Sequence, residues 1–127
     1  MSGACAGETW ADRADLAVSL SRLSPDSVPL NFLIPIPGPP LENQARLTPL
    51  EALKIIVIFR LTLPDRDLII CGGREEILGD FQSWIFAAGA TGFILGDYLT
   101  RKGRSPAQDL AMIEALGLAP LAPGNGG

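Results

Sequence analysis

Histidine is absent from the 127 residues. Every catalytic triad or dyad built on imidazole is thereby excluded, as is every zinc site that mixes cysteine with histidine. Cysteine occurs twice, at Cys5 and Cys71. One chain cannot supply a four-cysteine metal site from these, and no disulfide framework is expected. Positive charge is scarce: 10 Lys and Arg stand against 14 Asp and Glu, for a net charge of −4 and a pI near 4.6. Nucleic acid needs clustered Lys and Arg, so no nucleic-acid partner is expected. The one basic cluster, Arg101-Lys102-Gly103-Arg104, reads as a solvated loop. Long hydrophobic runs are missing too. Mean hydropathy is +0.27, yet the longest uncharged stretch, Phe81 to Gly96, is broken by Gln82, Ser83, Gly89 and Gly92. A membrane span needs about 20 mostly apolar residues. The amino terminus lacks the basic start and apolar core of a signal peptide. The expectation is a cytoplasmic protein with no membrane partner.

What is present is enough apolar surface for a core: 47% of residues are hydrophobic and 19% charged, outside the range of disordered chains. Three helix starts share one chemistry. Thr9 with Asp12, Thr48 with Glu51, and Ser105 with Gln108 each place a capping hydroxyl three residues before a side chain that reaches back. Pro49 and Pro106 occupy the first helical position. The predicted helices run from Thr9 to Leu23, Thr48 to about Leu61, and Ser105 to Gly117. A further helix is predicted from Glu75 to Ala88, with Ile77, Phe81, Trp84, Ile85 and Ala88 as its apolar stripe and Gly89 as its left-handed end. Val28 to Ile34, Leu68 to Cys71 and Thr91 to Leu95 are short, unalternating apolar runs, the pattern of strands buried in a parallel sheet. Pro35 to Leu47 reads as a stiff loop, and Ala119 to Gly127 as a disordered Pro/Gly tail.

The order is a helix and then strand–helix three times over. Parallel strands with helical crossovers give a doubly wound sheet or part of a (β/α) barrel. A chain that opens on a helix implies a strand before it that is missing or degraded. So few strands cannot close a ring, which leaves sheet edges and one face open. The expectation is therefore a piece of something larger, or one part of an oligomer.

The words GETWADRADLAVSL (7–20), SVPLNFLIPIPGPPLEN (27–43), PDRDLIICGGREE (64–76) and AAGATGFILGDYLT (87–100) make this chain resemble biotin synthase, a radical S-adenosylmethionine enzyme. The resemblance runs in register from about Gly7 to Leu118. It covers the C-terminal part of that enzyme's TIM-type barrel, including the biotin-and-thiamin-synthesis-associated region. It implies an α/β fold made of the last three βα units preceded by a helix. Residues 1–8 would be the degraded end of a barrel strand with a glycine-rich motif, 9–118 the partial barrel, and 119–127 the tail. The implied reaction is insertion of sulfur into dethiobiotin to make biotin. The family performs it with a [4Fe-4S] cluster, a [2Fe-2S] cluster and S-adenosylmethionine.

By the same resemblance, Asn31 matches the asparagine of a VPxN word among the substrate and S-adenosylmethionine contacts. A mid-strand asparagine among apolar residues needs a partner for its amide, and nearby backbone is the alternative to a ligand. Ile34 would lie near the adenine, with plain strand packing as its alternative. The family's cluster-contacting arginine falls at Ile69, which cannot coordinate iron. The CxxxCxxC loop and the other cluster cysteines have no counterpart. No catalytic or metal-ligating residue, and no cofactor, is expected of this chain alone. Cys71-Gly72-Gly73-Arg74 reads as a tight strand-to-helix turn, with anion binding as the alternative. Three functions stay in view: a biotin-synthase segment needing a missing N-terminal barrel half, a free-standing non-catalytic domain binding a partner or small ligand, and a diverged barrel completed by homo-oligomerisation.

Overall fold

The computed structural model describes residues 2–4, 9–32, 47–94 and 105–120. They fall into two compact units, 1–94 and 95–127. Ile34, Cys5, the basic cluster at 101–104, most of the Pro35–Leu47 loop and residues 121–127 of the tail lie outside the described residues.

In the first unit the elements are β1 (Ser2–Ala4), α1 (Trp10–Arg22), β2 (Ser27–Phe32), α2 (Pro49–Thr62), β3 (Asp67–Ile70), α3 (Arg74–Leu78), α4 (Trp84–Ala88) and β4 (Gly92–Phe93). The second unit contains α5 (Pro106–Ala115). All four strands are parallel and lie in sequence order, β1-β2-β3-β4. Strand β1 precedes the helix on which the local sequence pattern opens, and lies within the stretch that the resemblance reads as the end of a strand. Ser2, Gly3 and Ala4 pair with Leu30, Asn31 and Phe32.

The capping boxes form as the sequence predicts. The Thr9 hydroxyl accepts from the Asp12 N–H at 3.0 Å, and the Asp12 carboxylate accepts from the Thr9 N–H at 3.1 Å. Those bonds hold the Asp12 carboxyl below its ordinary pKa. Thr48 with Glu51 and Ser105 with Gln108 repeat the arrangement.

Burial alternates along β3, whereas β2 buries its last three residues, Leu30, Asn31 and Phe32. Val28, Leu30, Phe32, Leu68 and Ile70 are buried in one cluster with Ala52, Ile55, Ile56 and Phe59 of α2. Burying each large aliphatic side chain contributes about 1.5–3 kcal/mol. Helix α2 packs on α1 to one side and on α3 and α4 to the other, forming one helical layer. Ala17, fully buried on α1, allows the close approach. Arg60 near the end of α2 donates to the carbonyls of Gly89, Leu63 and Arg66 at 2.9, 2.8 and 2.7 Å. It thereby fastens α4 and the turn into β3.

The helix predicted from Glu75 to Ala88 is instead two five-residue helices joined by a 3₁₀ turn, Gly79–Phe81. The break falls at Gly79, whose φ of +52° lies outside the α-helical region. The apolar stripe breaks with it. Ile77 and Ile85 are buried, while Phe81 and Trp84 are 44% and 56% exposed and pack edge-to-face on each other. Gly89 ends α4 with φ +123°. The expected strand Thr91–Leu95 is confined to Gly92–Phe93 among the described residues. Among those residues no helix is long and apolar enough to cross a membrane.

Candidate functional site

Side chains alternate across a strand, so the residues between the buried ones project from the sheet face away from α2. Register places Pro29, Ile69 and Gly92 in one row of that face. Gly3 and Asn31 stand in the next row toward the strand ends. In parallel α/β sheets, ligands gather at the C-terminal ends of strands. Here those ends are Ala4, Phe32, Ile70 and Phe93.

Asn31 is 8% exposed. Its side-chain carbonyl accepts from the Gly72 N–H at 2.9 Å. The structure therefore realises backbone pairing for one end of this amide. The turn after β3 is stitched to β2 throughout: the Cys71 N–H donates to the Leu30 carbonyl and the Phe32 N–H to the Gly72 carbonyl, both at 2.8 Å. The Cys71 and Gly72 N–H groups are thus committed internally, as in a tight strand-to-helix turn. Gly73 completes it with φ +82°.

Ile69 is half-buried on the sheet face opposite α2. A Cβ built on its register partner Gly92 would stand 3.1 Å from the Ile69 Cδ1, so the isoleucine leans over the glycine and the row is apolar. Cys71 is partly buried, and desolvation pushes its thiol pKa above the ordinary 9.0. This favours an inert thiol over a nucleophilic one. The donor set does not fit an iron–sulfur group. Ile69 offers only carbon, and among the described residues no three His, Cys, Asp or Glu come together as metal ligands.

The structure brings Asn31 and the β3 turn together. Ile69 lies on the same sheet face, in the neighbouring row. One residue of this region escapes sequence reasoning. Arg74 looks like the first, solvent-facing residue of a helix, but it is 4% exposed. Its guanidinium lies 4.4 Å over the Phe93 ring. The only signal that finds it is tertiary: β4 must return beside β3 for Phe93 to meet it.

Comparison with known proteins gives a consistent result. The Biotin and Thiamin Synthesis associated domain matches residues 29–119. A protein named biotin synthase from Nitratidesulfovibrio vulgaris (strain Miyazaki F) is 52% identical over 120 residues, covering 94% of this chain and 33% of that protein. Biotin synthases from Trichlorobacter lovleyi and Thermodesulfovibrio yellowstonii are each 54% identical over 112 residues, or 88% of this chain. The chain spans about a third of the length of these relatives, 34% and 35% in the latter two.

Proposed function

The chain belongs to the Biotin and Thiamin Synthesis associated domain family, and from that membership we propose that it forms the last part of a (β/α) barrel of the biotin synthase type. The observation that carries this reading is the sheet. Four parallel strands in sequence order, with helices α1, α2, α3 and α4 in one layer, support the reading of an arc of a singly wound barrel. The opposite face, with Asn31, Ile69 and Gly92, then looks into the barrel. An N-terminal barrel portion of the kind that makes up the other two-thirds of the relatives would close the ring.

In that assembly Asn31 helps hold dethiobiotin or S-adenosylmethionine. Bound elsewhere in the assembly, iron–sulfur groups and S-adenosylmethionine would supply the radical and sulfur chemistry. The ligands for those groups come from outside this segment, since its own wall does not fit them. This chain's part is to shape the interior and keep water from it. By itself it inserts no sulfur.

Two preparations test this. The 127-residue chain is reconstituted anaerobically with iron, sulfide, reductant and S-adenosylmethionine, and is expected to form no 5′-deoxyadenosine. A chimera joins it to the preceding two-thirds of the Trichlorobacter lovleyi relative. The chimera is expected to bind dethiobiotin, and Ile69→Arg is expected to raise its biotin formation. A folded chimera that binds no dethiobiotin, with or without Ile69→Arg, refutes the assignment. So does 5′-deoxyadenosine from the chain alone.

A further inference from the structure

The turn between β3 and α3 is pinned on one side and clamped on the other. Toward β2 there is no slack: a Cβ on Gly73 would overlap the Phe32 carbonyl oxygen, and Gly72 is bonded to the Asn31 side chain. The next residue is Arg74. Its Nη1 donates to the Gln82 side-chain carbonyl at 2.5 Å, and its Nη2 donates to the Ile94 main-chain carbonyl at 3.3 Å. Glu75 stands 3.9 Å from Nη2, and the Phe93 ring covers one face of the guanidinium. Gln82 is itself buried.

Burying a guanidinium is costly, and an apolar side chain of similar volume often stabilises a fold as well. What arginine adds is direction. Its planar fork fixes two acceptors on two different elements at set angles, which a point charge on a flexible stem cannot do. Those acceptors lie on the turn before α4 and just past the end of β4. Arg74 itself continues the turn that grips Asn31.

We propose that Arg74 is a positioning residue for the sheet face opposite α2. It sets the end of β4 relative to the β3 turn and, through Gly72, the orientation of the Asn31 amide. The importance of that orientation rests on the function proposed above, but the link itself is measurable in this chain alone.

The experiment is residue-resolved amide hydrogen exchange on the ¹⁵N-labelled 127-residue chain and its Arg74→Lys variant. Exchange at Gly72 and Ile94 is expected to rise about tenfold in the variant, with the Asn31 side-chain NH₂ signals displaced. The amides of Ile55 and Ile56 in the middle of α2 are expected to stay within about twofold. A purely structural role gives a different signature, because general destabilisation speeds exchange in α2 as much as in the turn. That uniform pattern, or no change at Gly72 and Ile94, overturns the proposal. Gln82→Leu, which removes one acceptor and keeps the arginine, is the second variant. It is expected to show the same ordering at smaller size, and a uniform or null response there counts against the proposal even if Arg74→Lys does not fold. A chimera that fails to bind dethiobiotin refutes the family function and leaves this exchange result standing.

Discussion

At Gly73 two requirements coincide: φ is +82°, and the space where a Cβ would go is filled by the Phe32 carbonyl. Gly79 also has positive φ, at +52°, but nothing lies within 4 Å of a Cβ there. Replacing each by alanine separates backbone strain from collision. Gly79→Ala is expected to cost about 1–2 kcal/mol, the strain alone. Gly73→Ala is expected to cost about 4 kcal/mol or more, in the range reserved for severe packing faults. Urea unfolding of the two variants measures the difference, and equal losses would remove the collision argument. Cys71 gives a prediction in pH. Desolvation disfavours its thiolate, so its folded pKa lies above 9.0. The unfolded chain ionises first. The stabilisation is therefore whole below the unfolded thiol pKa and is lost as pH rises toward the folded one. In a Cys5→Ser background, the alkylation rate of the folded chain is expected to have its midpoint above pH 9.0, moving down in urea. A folded midpoint at or below the urea value contradicts it.

Among the elements, α2 bears the most weight. It presses Ala52, Ile55, Ile56 and Phe59 onto β2 and β3 and meets every other helix of its unit. Its start depends on the exchange between Thr48 and Glu51, at 3.2 and 3.1 Å. Thr48→Ala is expected to destabilise the first unit by about 1 kcal/mol. Thr48→Ser is expected to lose much less, because the hydroxyl and not the methyl group makes the bond. Chemical denaturation distinguishes the two. The split of the predicted Glu75–Ala88 helix belongs to this scale as well. Apolar spacing carries straight through Gly79 in the sequence, and only the backbone conformation at that glycine turns the chain.

For the whole molecule, the governing feature is asymmetry. One face of the sheet is covered by helices. Among the described residues, the outer edges of β1 and β4 pair with no other strand. Parallel sheets are usually covered on both faces, and free edges invite pairing with other chains. The chimera addresses this directly, because it supplies the two-thirds of the relative's length that this chain does not span. If the ring closes, the row Pro29, Ile69, Gly92 becomes interior. The response to Ile69→Arg then reports what that interior holds.

Much of the fold was legible in local chemistry. Capping boxes, a proline at the first helical turn, and short unalternating strands are read within a few residues, because the forces that make them act over one helical turn or one strand. Sequence order and the apolar runs also announced a parallel sheet with helical crossovers, and the four long words announced the family. Three things were settled only by tertiary structure. The parallel pairing of Ser2–Ala4 with Leu30–Phe32, which no local apolar pattern marks, is supplied by β2 beside it. Asn31 spends its carbonyl on Gly72, 41 positions away, because register brings the β3 turn to the end of β2. Arg74 is buried because Phe93 and Ile94 return to it from 20 residues down the chain. Each depends on contacts between segments distant in sequence, where neither local propensity nor spacing carries information, and such contacts decide which polar groups are spent inside the fold and which face the site.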